Sequence, residues 1–91
     1  MTSSGISTLD QDAALRDRVR ELMANTFVMD AAELPDDASQ ATCGRWTSLY
    51  HMMLLVVLEE DFGVSFSMDE MTSMTSLPRI VDVLKAHGAS A

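Results

Sequence analysis

An all-α fold, with three main helices, one short helix and a long loop between the first and second, follows from three features of the sequence. Apolar side chains recur at three- and four-residue spacing in separate stretches, around residues 15–23, 49–62 and 77–84. Each stretch opens near a hydroxyl-bearing residue suited to cap a helix, and the last two close near a glycine. No stretch alternates apolar and polar residues for long enough to make a half-buried strand.

Taken in order, residues 1–7 are small and polar and are expected to form a flexible tail. Residues 8–88 form one domain, and 89–91 a frayed end. Ser7-Thr8-Leu9-Asp10 reads as a helix start, a hydroxyl cap followed three residues later by a carboxylate. The helix continues to about Thr26, with Leu15, Val19, Leu22 and Met23 on one face. Asp12, Arg16, Asp17 and Arg20 fall on the others. Asp17 and Glu21 bracket Arg18 and Arg20, the charge mixture of a solvated face.

A long connection follows, from Phe27 to Trp46, holding Pro35, Asp36-Asp37-Ala38-Ser39 and Gly44. Within it, Asp30-Ala31-Ala32-Glu33 is suited to cap a single helical turn. A structureless loop of about 20 residues counts against an assignment unless it wraps the core or serves function. The second helix opens at Thr47-Ser48 and runs to about Phe62, stopped by Gly63 as a left-handed cap. Val64-Ser65-Phe66 is extended at most, and Ser67-Met68-Asp69-Glu70-Met71 resembles a short capped helix. Thr75-Ser76-Leu77-Pro78 starts the last helix, with proline in the first turn, where its missing N–H costs nothing. That helix carries Ile80, Val81, Val83 and Leu84 and ends near Gly88.

Ninety-one residues allow one small domain, and 47% hydrophobic content is enough for a real core. The net charge of −8, with Lys85 the single lysine, argues against nucleic acid and favours basic partners. A lone cysteine, Cys43, excludes an internal disulfide and any multi-cysteine metal site. Cys43, His51 and His87 do not stand at metal-ligand spacing, so no metal is expected. Met1–Ser7 lacks the basic and apolar regions of a signal peptide. The longest apolar stretch, Met52–Leu58, falls short of the roughly 18 residues of a membrane span. A cytoplasmic monomer without membrane contact is the expectation.

The second helix carries two apolar stripes. Leu54, Leu55, Leu58 and Phe62, with Met52 at the margin, form the expected core face. Leu49, Met53 and Val56 form another, continued by Glu60 and rimmed by Glu59 and Glu60. It packs either beneath the long loop or against a partner. Ser48 lies in the first turn, where unpaired N–H groups and the helix dipole favour an anion. A serine there is ordinarily only a cap; a phosphodiester on its hydroxyl would face the same N–H groups.

Ser48 and His51 stand three apart on one helix, the spacing of a nucleophile and its base. The sequence supplies neither an orienting carboxylate nor a glycine-flanked elbow, so no enzyme is expected. His51 is read as exposed beside the serine and His87 as part of the frayed end. Cys43, next to Gly44, is read as a loop anchor, with a free thiol as the alternative. Met68, Met71 and Met74 are either gap-filling core or a yielding wall around a flexible ligand.

Trp46-Thr47-Ser48-Leu49-Tyr50-His51, followed by Val57-Leu58-Glu59-Glu60-Asp61-Phe62-Gly63-Val64-Ser65-Phe66, resembles an acyl carrier protein. The family shows an Asp-Ser-Leu motif opening a helix that ends on a Leu-Glu-Glu-acid-Phe-Gly run. Here the serine and phenylalanine keep the family's separation. Phe66, Met71, Met74, Leu77, Ile80, Val81 and Leu84 match apolar positions of its last two helices. The family also has a long loop draped over a four-helix bundle, which accounts for residues 27–42.

The resemblance implies that a phosphopantetheinyl transferase joins 4′-phosphopantetheine to Ser48. The thiol of that arm then carries an acyl, aminoacyl or ketide group as a thioester. Leu49, Met53, Val56, Glu59 and Glu60 become the docking surface for that transferase, for an acyl- or aminoacyl-loading ligase and for synthase enzymes. Thr47 replaces the family's usual aspartate. It keeps a capping oxygen but removes a charge that helps engage the transferase and its magnesium ion, so slow modification is expected. Thr47-Ser48 is also similar to stand-alone carriers charged with amino acids by synthetase-like ligases. Trp46 resembles free-standing carriers of specialised pathways. A helical interaction module without the arm is the remaining alternative.

Overall fold

In the computed structural model, which describes residues 8–89, the chain forms α1 (Thr8–Phe27), α2 (Ser48–Phe62), α3 (Met68–Ser73) and α4 (Leu77–Ala86). The expected tail at 1–7, its Ser7 cap and residues 90–91 lie outside the described residues. No strand occurs among the described residues, and none of their helices is long and apolar enough to cross a membrane.

The longest helix, α1, is the centre of the bundle and packs against both α2 and α4. Leu15, Val19, Leu22 and Met23 are buried, as their spacing predicts, and Ala24 and Phe27 extend the same face. They meet Leu54, Leu55 and Leu58 from α2 and Leu77, Ile80, Val81, Val83 and Leu84 from α4. Each such side chain contributes about 1.5–3 kcal/mol by leaving water. Phe62, expected on the core face, is only half-buried. It is the last residue of α2 and packs against the core only in part. Met52, placed at the core margin, is 55% exposed.

The long loop is neither structureless nor loose. A 3-10 turn (Ala31–Glu33) forms where the Asp30–Glu33 pattern predicts one. The Asp30 carboxylate accepts from the Ala32 N–H at 3.1 Å, and Glu33 accepts from the Asp30 N–H at 3.2 Å. Leu34, Ala38 and Trp46 then enter the core from the loop. Two backbone bonds of 2.8 Å, Gln40 N–H to the Thr75 carbonyl and Leu77 N–H to the Ala38 carbonyl, fasten it to the start of α4. The loop therefore satisfies its polar backbone on α4 while its apolar residues complete the bundle.

Ser76 caps α4, with Pro78 in the first turn. At the other end His87 is the C-cap, and the Ala89 N–H is held by the Leu84 carbonyl at 2.9 Å. His87 is thus not in a frayed end. Its Nε2 lies 3.0 and 3.1 Å from the two Glu70 oxygens, and its ring meets the Phe66 ring edge-on at 5.7 Å.

Gly63 ends α2 with φ +66, and the Val64 N–H closes on the Glu59 carbonyl at 3.2 Å. A Cβ added at Gly63 would meet nothing within 4 Å. Gly63→Ala therefore loses stability through backbone conformation alone, about 1–2 kcal/mol. An unfolding free energy lowered by that amount in urea titration, with unchanged helical content, is the expected measurement.

Candidate functional site

Thr47 builds the start of α2. Its backbone is extended, and its hydroxyl accepts from the Tyr50 N–H at 3.3 Å, making Thr47 the N-cap. Ser48 is consequently the first helical residue, exposed and relieved of capping. Its hydroxyl sits where the unpaired N–H groups of the first turn concentrate positive potential.

Trp46, immediately before the cap, is 2% exposed. Its ring packs on Phe27 at a centroid distance of 5.5 Å, and Phe27 in turn meets Tyr50 at 6.1 Å. The indole N–H donates to His51 Nδ1 at 3.0 Å, and His51 Nε2 lies 2.9 Å from the Met71 carbonyl. A carbonyl only accepts, so Nε2 carries the ring proton and Nδ1 presents its lone pair to Trp46. His51 is thus not the exposed neighbour of Ser48 that its position predicts. Both of its nitrogens are engaged, and no lone pair remains to serve Ser48 as a base. It clamps α2 to α3 instead.

Between those helices lies a cleft of about 370 Å3, lined by Gln40, Ser48, His51, Met52, Leu55, Met68, Met71, Thr72 and Thr75. Ser48 stands at its rim. The methionine cluster divides accordingly: Met74 is fully buried core, Met71 is a half-buried wall, and Met68 is exposed on the lip. Met52, opposite, supplies a wall that periodicity alone assigned to the core margin.

Short hydrogen bonds hold α3 in place. Ser67 Oγ accepts from the Glu70 N–H at 3.1 Å, while Glu70 accepts from the Ser67 N–H at 2.8 Å and faces His87. The Ser67 N–H, and secondly His87, hold the Glu70 carboxyl below its ordinary value of 4.5. Upstream, Glu59 accepts from the Phe66 N–H at 2.8 Å, pinning the α2–α3 connection. Asp61 pairs with Arg18 of α1 through two bonds, 2.6 and 3.2 Å. Glu60 is exposed, and among the described residues no ion pair involves it.

The outer ridge of α2 is apolar and open: Leu49 is 68% exposed, Val56 51% and Met53 44%. The long loop does not cover it. Cys43 is half-buried and packs against the core as a free thiol.

No protein-family model matches the chain. Among known proteins it is similar to polyketide-8 synthase acyl carrier protein 2 of Streptomyces avermitilis, at 35% identity over 69 residues. The match covers 76% of this chain and 79% of that protein. A small helical bundle with an exposed serine opening its second helix, beside an apolar cleft, has the architecture of a carrier domain. With that likeness over most of both sequences, the chain belongs to the acyl carrier protein family.

Two measurements test how the cleft is held. His51→Ala leaves the buried indole N–H and the Met71 carbonyl without partners, so a loss of about 1–3 kcal/mol is expected in urea unfolding. Amide exchange is expected to rise most in α3. The second concerns acid. Because the folded Glu70 pKa is depressed, its contribution is full above the unfolded value of 4.5 and disappears as pH falls through the lower folded value. Glu70→Gln is therefore expected to lower the urea midpoint at pH above the unfolded value of 4.5 and to converge on the parent midpoint as pH falls through the depressed folded value.

Proposed function

We propose that this chain carries an acyl intermediate of polyketide-type synthesis on a 4′-phosphopantetheine arm joined to Ser48, with residues 8–88 as the carrier unit. The observation that carries this reading is the division of labour at the start of α2. Thr47 takes the cap and Ser48 is left exposed in the first turn. The residues fit the group. The N–H groups of the first turn would face its phosphate, and no acidic side chain stands in that turn to repel it. The terminal thiol of the arm supplies the thioester linkage by which the acyl group is held.

The chain's own residues do three things in this reading. Ser48 Oγ provides the attachment point, and the apolar cleft of Met52, Leu55, Met68 and Met71 beside it offers an acyl chain shelter from water. Those walls suit an acyl cargo better than an amino acid, whose charged amine has no acid to meet there. Leu49, Met53 and Val56 present the docking ridge, with Glu60 as the acid aimed outward and Glu59 bracing the connection behind it. The partners are a phosphopantetheinyl transferase, an acyl-loading enzyme and the synthase enzymes that use the cargo. Tethering raises the cargo's local concentration at each of them.

Thr47 sets the expected rate. It satisfies the helix end as an aspartate would, but without a charge for a transferase or its metal ion. Intact mass after incubation with coenzyme A and a broad-specificity transferase is expected to rise by one phosphopantetheinyl group, slowly, and not at all in Ser48→Ala. An unchanged mass with every transferase tried, for a chain that is folded, would favour an interaction module without the arm.

A further inference from the structure

The turn after α1 is made by Val28, whose φ is +55. This is the left-handed region, where a β-branched side chain crowds its own backbone and glycine or asparagine is the ordinary occupant. The turn needs that conformation, since the Met29 N–H reaches back to the Ala24 carbonyl at 2.9 Å to close the helix. It does not need valine. Nor is the side chain part of the core, for Val28 is 70% exposed, the second most exposed of the large hydrophobics after Met68.

What the side chain does is wall an open groove of about 490 Å3 between the end of α1 and α2, facing Met53 across a floor of Leu22, Tyr50 and Val57. No charged residue lines this groove; Asn25, Thr26 and Tyr50 are the lining residues that carry a polar group. It lies on the flank of α2 away from the cleft, and through Met53 it is continuous with the apolar ridge. Met53 is five residues beyond Ser48, about 7.5 Å along the helix axis. An enzyme that approaches the Ser48 hydroxyl along the outer side of α2 would meet the ridge and, at Met53, the mouth of the groove.

We propose that Val28 is a docking residue, flanking with Met53 a slot that receives an uncharged apolar side chain of the enzyme that attaches the arm. This rests on the assignment of Ser48 as the attachment point. The uncharged lining sets the chemistry of the occupant, because a charged side chain entering it would lose water and gain no partner. The conformational strain of Val28 is then retained for contact rather than for the fold.

The test compares the parent with Val28→Gly and Val28→Asn, both residues that accept positive φ. Efficiency of arm attachment (kcat/KM) is measured with coenzyme A and a broad-specificity phosphopantetheinyl transferase, beside thermal melts of the same proteins. Val28→Asn is expected to melt at or above the parent temperature, and Val28→Gly close to it, relief of the positive-φ strain offsetting the added freedom of the unfolded chain. Both are expected to be modified about fivefold less efficiently, the scale of a lost interface contact. Attachment within about twofold of the parent in both variants overturns the proposal, as does a lower melting temperature in both, which would make Val28 a residue of the fold. No attachment to the parent chain would remove the Ser48 assignment itself, a result distinct from either.

Discussion

Burial of Trp46 is the constraint from which the site's geometry descends. The indole is the last large side chain of the loop, and packing on Phe27 fixes where the loop must end and α2 must begin. Its one polar atom then needs a partner inside the bundle, and His51, on the first turn and a half of α2, is the group within reach. Engaging Nδ1 in this way leaves Nε2 to donate, and the acceptor it finds is the Met71 carbonyl of α3. One buried ring thus positions the loop, orients α2 and anchors the short helix that walls the cleft. With His51 turned inward, Ser48 is left facing out.

The nearly all-round apolarity of α2 resolves into four directions. Leu54, Leu55 and Leu58 face α1 and the core. On one flank Met52 and His51 line the cleft with α3, and on the other Tyr50, Met53 and Val57 line the groove beside α1. Leu49 and Val56 ride the ridge between them. A bundle this small covers one face of each helix, so an α2 apolar on every side exposes whatever its neighbours do not reach. The exposed part surrounds Ser48, the attachment point proposed above.

Short-range chemistry was readable from the sequence. The caps at Thr47, Ser67 and Ser76, the Asp30–Glu33 turn and the Gly63 stop are hydrogen bonds closing over three or four residues, so adjacent letters specify them. The core faces of α1 and α4 followed from their period. Contacts that cross the chain were not readable. Met71 is twenty positions from His51, so nothing local marks that histidine as a clamp rather than a surface group. Met52 and Phe62 each sit one helical step from a buried leucine, and only the placement of α3 and the bundle edge exposes the first and half-covers the second. Val28 carries no sequence signal at all, since a valine predicts extended or helical backbone rather than a left-handed turn.

The net charge of −8 overstates what a basic partner would meet at α2. Of its three acids in a row, Glu59 accepts the Phe66 N–H and Asp61 grips Arg18 of α1, so two of the three hold the domain together. Elsewhere Asp12 pairs with Lys85, and Asp17 and Asp36 with Arg20. Glu60 is the acid of the row whose charge points away from the fold. Long-range steering survives this arrangement, because it depends on the summed charge. Contact specificity does not, because a cation brought to the ridge finds one carboxylate among Leu49, Met53 and Val56. On the proposed docking ridge, recognition at close range would therefore rest on apolar shape, with salt slowing encounter far more than it weakens the docked state.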